Sequence, residues 1–230
     1  MSKPVISVVI PALNEEQSIG KVIQDIPRDI VDHVIVVNNG STDNTVQVAS
    51  NAGAIVLDEP RKGYGWACLK GIAECKERNT EIVVFLDGDY SDYPEEIPDV
   101  LAPILEQNMD MVIGSRVLGK REKGSLTPQQ VFGNWLATKL IRLFYRAKFS
   151  DLGPFRAIKM DGLEQLEMAD KTYGWTIEMQ IKAVKRKLQY CEVPVNYKKR
   201  IGVSKVSGTV KGTIFAGIKI IFAVFKYLFW

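Results

Sequence analysis

The residues best suited to chemistry stand at the end of one apolar run. Residues 82–86 are β-branched or bulky, and they lead directly into Asp87-Gly88-Asp89. Such a run predicts a strand buried on both faces, and ligands bind at the carboxyl edge of an open α/β sheet. Two carboxylates about 6–7 Å apart along an extended chain repel each other, which a divalent cation relieves. We therefore interpret Asp87 and Asp89 as candidate Mg²⁺ or Mn²⁺ ligands. An acidic turn without a metal remains the alternative. Gly88 would let the backbone turn and approach a ligand closely.

Other strand-like runs alternate with helical stretches along the first half of the chain. This alternation predicts βαβ units and a mostly parallel sheet, hence an α/β fold with a Rossmann-like core. The predicted strands are 5–10, ended by Pro11, then 34–37, 54–57, 82–86 and 111–113, and the predicted helices are 14–26, 41–51, 62–77 and 94–107. Polar clusters follow the first, second, fourth and fifth strands, so we expect them to meet at one edge of the sheet.

Composition and charge limit the class of protein. The chain has 230 residues, of which 46% are hydrophobic and 25% charged, as expected for a globular α/β protein. Residues 1–110 carry 8 Lys+Arg and 19 Asp+Glu, whereas residues 111–230 carry 22 and 8, so the net charges are −11 and +14. The acidic half suits a metal, and the basic half suits phosphate or an anionic membrane. No nucleic-acid-binding motif is present, and three cysteines without metal-like spacing fit a reducing cytosol.

The second half of the chain contains two stretches suited to lipid. A helix predicted over 127–148 is rich in aromatic, aliphatic and basic residues, and it could present an apolar surface to a ligand or be a core helix with a solvated basic face. Residues 212–230 are almost wholly apolar apart from Lys219 and Lys226. We favour an amphipathic helix lying in a membrane interface over a spanning one, with packing against the protein's own core or a partner subunit as the alternative. The predicted boundaries are a catalytic domain over 1–210, divided at 115, and a membrane-associated helix over 211–230.

The polar clusters resemble, in order and spacing, the family 2 glycosyltransferases of the GT-A fold. The matching stretches are PALNEE at 11–16, NNGSTDNT at 38–45 and DGD at 87–89. DLGPFR at 151–156, GWTIEM at 174–179 and RIGVSKVSG at 200–208 resemble the polyprenyl- and dolichyl-phosphate sugar synthase branch. The resemblance covers residues 4–212. One departure is Ser91, where mannose synthases tend to carry Gln as a metal ligand, and Asp92 could substitute for it directly or through water.

The resemblance implies a donor site for a nucleotide-sugar. Asp87 and Asp89 would hold the cation that neutralises the departing diphosphate, with Asp89 among the catalytic residues. The other residues that the resemblance assigns to the donor are Pro11, Ala12, Glu15, Asn39, Asp43 and Gly88 around the nucleotide, and Arg200, Ser204 and Lys205 as a basic flap over the diphosphate. Asn39 and Asp43 would bond to the base or ribose.

The acceptor side needs cations, because a lipid monophosphate carries a charge of about −1.5 to −2. Guanidinium groups bind phosphate oxygens bidentately, which makes Arg116 and Arg156 candidates for the acceptor phosphate. Asp151 would orient the acceptor or act as a base, and Glu178 could bind sugar hydroxyls or simply lie on a helix face.

The resemblance implies an inverting enzyme that moves a hexose from UDP-hexose or GDP-mannose to polyprenyl or dolichyl phosphate. Its expected partners are the nucleotide-sugar, the lipid acceptor and the membrane surface, and its expected location is the cytoplasmic face, as a peripheral or monotopic protein. Two alternatives stay open: a family 2 transferase with a glycan or another lipid as acceptor, and a non-catalytic nucleotide-sugar or membrane-binding module. A dehydrogenase or Walker-type NTPase is disfavoured because the first strand is not followed by a glycine-rich phosphate loop. The oligomeric state is left open.

Overall fold

A computed structural model describes residues 3–202 and 221–228 of the chain. Its centre is a seven-stranded sheet in the order β3-β2-β1-β4-β6-β5-β7. The strands are β1 (Ile6–Ala12), β2 (His33–Asn38), β3 (Ile55–Asp58), β4 (Ile82–Phe85), β5 (Met111–Ser115), β6 (Arg156–Lys159) and β7 (Tyr190–Pro194). The helices are α1 (Ile19–Asp25), α2 (Thr45–Asn51), α3 (Tyr64–Glu77), α4 (Ile97–Gln107), α5 (Pro128–Tyr145), α6 (Met160–Gln165) and α7 (Trp175–Lys185), and a 3₁₀ turn (Pro94–Glu96) precedes α4.

One strand of this sheet runs against the others. β6 is antiparallel to both β4 and β5, whereas the remaining pairs are parallel. The expected mostly parallel sheet is confirmed, and the reversal has a consequence for the site. Because β6 runs backwards, the loop that precedes it lies at the edge where the other strands end. That loop contains Asp151.

The sheet is covered on both faces, as the apolar run before the acidic turn predicts. Val83 and Phe85 point to the layer formed by α3, α5, α6, α7 and residues 223–227, and Val84 and Leu86 point to the layer formed by α1, α2 and α4. All four side chains are at most 1% exposed. Burial of apolar side chains on both faces fixes β4 firmly, and β4 carries the acidic turn.

Three element boundaries near the site differ from the prediction, and one of them is the start of α2, which lies at Thr45 instead of residue 41. Pro11 lies inside β1 instead of ending it, at a point where β1 pairs only with β2 because β4 has already ended opposite Val9. Helix α1 begins at Ile19, not at Asn14, since Asn14 has a φ of 54° and belongs to a loop. The backbone N–H of Glu15 in that loop donates to Thr45 Oγ1 at 2.8 Å. This bond ties the first polar cluster to the second.

Most of the predicted membrane-associated helix over 211–230 lies outside the described residues. The described part, residues 221–228, packs against the chain's own core, with Val224 and Tyr227 buried and Phe222 and Phe225 exposed. The Tyr227 hydroxyl donates to Glu178 Oε1 at 2.7 Å. Among the residues that the structure describes, no helix is both long and apolar enough to cross a membrane.

The start of α3 packs so tightly that it provides a stability test. A Cβ atom on Gly65 would lie 2.1 Å from the carbonyl oxygen of Asp170, whereas a Cβ on Gly133 in α5 would meet nothing within 4 Å. We expect Gly65→Ala to lower the free energy of unfolding by about 1–3 kcal/mol through overpacking. Gly133→Ala, the matched control, should leave it unchanged or raise it by up to about 1 kcal/mol. Urea unfolding measures both, and equal effects would contradict this packing.

Candidate active site

The acidic turn after β4 is held by hydrogen bonds from its own neighbours. Asp89 is 5% exposed, and its Oδ1 accepts from both the backbone N–H and the hydroxyl of Ser91. The Tyr64 hydroxyl, from the start of α3, donates to Asp87 Oδ1 at 3.2 Å. Tyr90 takes the left-handed backbone conformation, with φ 62°. Gly88 does not, and a Cβ on it would make only ordinary contacts at 3.5 Å, so the tight turn rests on Tyr90 rather than on Gly88 as predicted.

A third carboxylate adds to the negative charge of this turn. Asp92 is 2% exposed, and within the described residues neither of its carboxylate oxygens has a hydrogen-bond partner. Burial raises the pKa of Asp92 well above its ordinary value, and the charges of Asp87 and Asp89 raise it further. Burial, and then the charge of Asp89, raises the pKa of Asp87 to about 7, against the opposing effect of Arg200. Burial and mutual repulsion therefore disfavour the charged forms of these carboxylates, and a bound cation would stabilise those charged forms.

Two of the residues predicted to bind the nucleotide line a small cavity near this turn. The cavity has a volume of about 250 Å³, and its lining includes Glu15, Asp43 and Gly202. Burial tends to raise the pKa of Asp43, but hydrogen bonds from Thr45 and Glu16 outweigh this effect and lower it, so the carboxylate is charged at neutral pH. Glu15 and Asp43 thus line the same cavity, and their role in binding a nucleotide stays a prediction.

A segment from the basic half lies across the acidic turn; we call residues 197–202 the strap. Its backbone is bonded to the turn, because Lys198 N donates to Ser91 O and Ile201 N donates to Asp89 O, both at 2.9 Å. Arg200 Nη2 lies 3.1 Å from Asp89 Oδ2 and 3.4 Å from Glu15 Oε1. The predicted neighbours Ser204 and Lys205 lie outside the described residues.

The Arg116–Asp151 pair is the second charged feature of this edge. Arg116 Nε and Nη2 donate to the two carboxylate oxygens of Asp151, both at 2.7 Å, and the Arg116 backbone N–H donates at 2.8 Å. The pKa of Asp151 is lowered, because the charge and hydrogen bonds of Arg116 outweigh the raising effect of burial. Asp151 therefore positions Arg116, whose charge also lowers the pKa of Asp87 and Asp92.

The loop that carries Asp151 is clamped from three elements. Gln180 in α7 donates to the carbonyl of Asp151 at 2.9 Å, and Ser150 N donates to the carboxylate of Glu192 in β7 at 2.9 Å. Asn134 in α5 accepts from Leu152 N at 2.8 Å. Sequence reasoning missed Asn134, Glu192 and Tyr64, because their roles depend on contacts distant in the chain and no motif marks them.

Two residues predicted to bind ligands, Arg156 and Asn39, use their hydrogen-bonding groups within the protein instead. Arg156 was expected at the acceptor phosphate, but its guanidinium is buried and donates to the carbonyls of Gly153 and Thr176, each at 3.1 Å. Burial lowers the pKa of Arg156 to about 10.

Asn39 was expected to bond to the nucleotide, but its amide holds the loop between β3 and α3. Its Nδ2 donates to the carbonyls of Glu59 and Arg61, at 3.0 and 2.9 Å, and its Oδ1 accepts from Gly63 N at 2.8 Å. Glu178, a candidate for sugar hydroxyls, is fully buried and pairs with Lys182 at 2.8 Å. Pro11 and Ala12 lie at the end of β1, where the Pro11 carbonyl faces Gly88.

Comparisons with known proteins define the class. The sequence profile of glycosyl transferase family 2 matches residues 7–166. A glycosyltransferase of unknown specificity from Mycobacterium tuberculosis is 33% identical over 219 residues, covering 94% of this chain and 96% of that protein. The UDP-N-acetylglucosamine–dolichyl-phosphate N-acetylglucosaminyltransferase of Methanococcus voltae is 28% identical (85% and 86% covered), and the undecaprenyl-phosphate mannosyltransferase of Micrococcus luteus 27% (89% and 88%).

The solved structures agree on the fold. Glucosyl-3-phosphoglycerate synthase from Mycobacterium tuberculosis, crystallised with Mn²⁺, UDP-glucose and phosphoglyceric acid, superposes with a TM-score of 0.80 at 26% identity, covering 98% of this chain and 80% of that one. The chain therefore belongs to glycosyl transferase family 2 and has the GT-A fold. It is a glycosyltransferase, as its sequence motifs predicted.

The unpaired Asp92 generates a prediction about stability and pH. The pKa of Asp92 is higher in the folded protein than in the unfolded chain. Above the ordinary carboxyl pKa, folding is therefore accompanied by uptake of a proton, so the free energy of unfolding should fall as pH rises. Asp92→Asn removes this ionisation. We expect the free energy of unfolding to decrease between pH 5 and pH 8 in both proteins. The decrease should be smaller in Asp92→Asn than in wild type, by at least about 1 kcal/mol.

Denaturant titrations at the two pH values measure this difference. Asp99→Asn, at an exposed position in the first turn of α4, is the control and should keep the wild-type pH dependence. Parallel pH profiles for wild type and Asp92→Asn would contradict a buried, ionisable Asp92.

Proposed function

We propose that this chain transfers a hexose from a nucleoside diphosphate sugar to the phosphate of a polyprenyl or dolichyl lipid. The observation that carries the proposal is that one helix links an exposed apolar surface to the Arg116–Asp151 pair. Helix α5 exposes a row of apolar side chains, and through Asn134 it also holds the loop in which Asp151 fixes Arg116. An apolar surface and a phosphate-binding arginine are the two features that a lipid phosphate requires.

On the donor side, Glu15 and Asp43 would face the nucleotide, and the acidic turn would face the diphosphate. Within the described ranges no three His, Cys, Asp or Glu side chains are grouped as a ready metal site. Mg²⁺ beside a nucleotide is typically held by one or two carboxylates together with phosphate oxygens and water. Asp87 and Asp89 fit that arrangement, and their charges act on the unpaired Asp92 nearby. When bound, the cation would neutralise charge that develops on the leaving diphosphate.

On the acceptor side, Arg116 would receive the phosphate. Asp151 holds the guanidinium in place, and the charge of Arg116 is felt by both Asp87 and Asp92. The acceptor phosphate is already anionic, so it needs positioning and charge compensation rather than a strong base. Attack by a phosphate oxygen on the anomeric carbon forms the new bond, and the bond to the diphosphate breaks. Inversion of configuration is part of the proposal.

The lipid chain would lie along α5. Phe132 is 61% exposed, Trp135 53% and Leu143 70%, and a groove of about 510 Å³ at the start of the helix is lined by Leu126, Pro128, Val131, Phe132 and Trp135. The helix contains no acidic residue, while Lys139 and Arg142 are exposed on it. Aromatic and basic side chains together are typical of a membrane interface. The proposal therefore includes a peripheral location on the cytoplasmic membrane face.

The relatives support two acceptor classes. Two of them carry lipid-phosphate acceptors in their names, whereas the solved synthase was crystallised with phosphoglyceric acid. The second candidate is therefore transfer to a small phosphorylated acceptor. The exposed apolar face of α5 favours the lipid acceptor, because a small polar acceptor would not contact an apolar surface of this kind. Several of the solved structures contain Mn²⁺ or Mg²⁺ with UDP or UDP-glucose, which supports a divalent cation and favours a UDP-sugar over GDP-mannose.

A transfer assay distinguishes these functions. The purified chain is incubated with radiolabelled UDP-glucose, UDP-N-acetylglucosamine or GDP-mannose and with undecaprenyl phosphate, dolichyl phosphate or 3-phosphoglycerate. We expect label in the organic phase with one donor, and its loss when EDTA removes divalent cations. Label that remains in the aqueous phase on phosphoglycerate would favour the second candidate. The absence of transfer with any pair would contradict the proposal.

The role of α5 can be tested separately from the chemistry. We expect the double variant Phe132→Ser/Trp135→Ser to lower transfer to lipid phosphate at least about tenfold, because each exposed aromatic contributes roughly 1.5–3 kcal/mol when buried in lipid. Binding of UDP, measured by calorimetry, should stay at the wild-type value.

The matched control is Leu105→Ser. Leu105 is 52% exposed on α4, which packs on the opposite face of the sheet. It should leave lipid transfer unchanged. Equal losses in both proteins would argue against a lipid surface on α5.

A further inference from the structure

Arg200 occupies the one oxygen of Asp89 that the turn itself leaves available. Ser91 directs its backbone N–H and its hydroxyl at Asp89 Oδ1. Asp89 Oδ2 instead faces Arg200 Nη2 at 3.1 Å. The guanidinium also reaches Glu15, which lines the nucleotide cavity. Arg200 thus links the carboxylate proposed to hold the cation with the pocket proposed to hold the nucleotide.

The strap fixes Arg200 in this position through its backbone. The Ile201 N–H donates to the Asp89 carbonyl, and the Lys198 N–H donates to the Ser91 carbonyl. The Lys198 ammonium also lies 3.3 Å from the centre of the Tyr90 ring and 4.2 Å from that of Tyr93. These contacts keep the strap on the acidic turn. The backbone of the strap therefore positions Arg200 for its ion pair with Asp89.

Arg200 also retains hydrogen-bonding capacity. In the described part of the protein its Nε is buried and has no acceptor. The side chain as a whole is 28% exposed. A guanidinium presents five N–H donors in a planar fork that matches phosphate oxygens. The group that neutralises Asp89 is therefore also suited to bind an oxyanion.

We propose that Arg200 is an internal counter-ion of the acidic turn, which a divalent cation must displace from Asp89 and which the donor diphosphate then captures. This inference rests on the proposed function for its donor chemistry. A cation at Asp89 Oδ2 and a guanidinium about 3 Å from the same oxygen would repel each other strongly. Binding of the cation therefore requires the ion pair between Arg200 and Asp89 to break. Two diphosphate oxygens offer the displaced guanidinium a new bidentate partner.

The inference requires opposite effects on two ligands from one substitution. Without Arg200 the cation has no competitor, so its affinity should rise, whereas the diphosphate loses a partner, so its affinity should fall. A residue that merely stabilises the fold would change both in the same direction. A residue that only binds the diphosphate would leave binding of the cation alone unchanged.

The test uses the full chain with Mn²⁺ and UDP as probes and no acceptor. Free Mn²⁺ is counted by electron paramagnetic resonance, and UDP binding at saturating Mn²⁺ is measured by calorimetry. We expect Arg200→Gln to bind Mn²⁺ alone about tenfold more tightly than wild type and UDP about tenfold more weakly, each a change of about 1.4 kcal/mol, since hydrogen bonds to charged groups are among the stronger ones. Arg200→Lys, which keeps the charge, should bind Mn²⁺ nearly as wild type does.

Arg78→Gln is the matched control. It removes the same charge from a surface pair with Glu74 in α3, and both affinities should stay at the wild-type values. Unchanged or weaker Mn²⁺ binding by Arg200→Gln would overturn the counter-ion role, and unchanged UDP binding would overturn the capture by diphosphate. No Mn²⁺ binding by either protein would overturn the inference together with the cation site. Because no acceptor is used, failure of lipid transfer in the separate assay would remain distinguishable from all these outcomes.

Discussion

Mutual repulsion of buried carboxylates is the constraint around which this site is built. Asp87, Asp89 and Asp92 lie within six residues at the end of β4 and are largely removed from water. Ser91 and Tyr64 offset part of the cost by donating hydrogen bonds. The rest of the compensation comes from arginines of the second half of the chain. The acidic first half and the basic second half of the sequence are thus in contact, because basic segments fold onto the acidic edge of the sheet.

The reversed strand β6 makes that contact possible. In a wholly parallel sheet the loop before β6 would lie at the opposite edge from the acidic turn. The reversal brings Asp151 beside Arg116, and Asn134, Gln180 and Glu192 hold the loop there. The arginine is therefore oriented by three elements that pack in the core. Precise positioning of this kind, rather than proton transfer, is what a phosphate acceptor demands of the protein.

Sequence reasoning succeeded where a local pattern has one structural outcome. A β-branched run ending in Asp87-Gly88-Asp89 can hardly be anything but a buried strand that delivers carboxylates to an edge, and the order of the polar clusters identified the family. It failed where the outcome depends on distant neighbours. Arg156 and Asn39 have the right chemistry for ligands, but backbone groups brought up by other loops use their hydrogen-bonding capacity. The start of α1 was predicted too early because the bond between Glu15 and Thr45 crosses thirty residues. The antiparallel direction of β6 could not be predicted, because the sequence of a four-residue strand does not indicate its direction in the sheet.

The central claim is that the acidic turn holds a cation which replaces Arg200. The most direct measurement is a crystal structure of the chain with Mn²⁺ and UDP, with the metal located by its anomalous scattering. The account predicts an anomalous peak at coordination distance from a carboxylate oxygen of Asp87 or Asp89 and from the diphosphate, with the Arg200 guanidinium moved from Asp89 onto a phosphate oxygen. A metal bound elsewhere, or Arg200 still paired with Asp89 beside bound UDP, would contradict it.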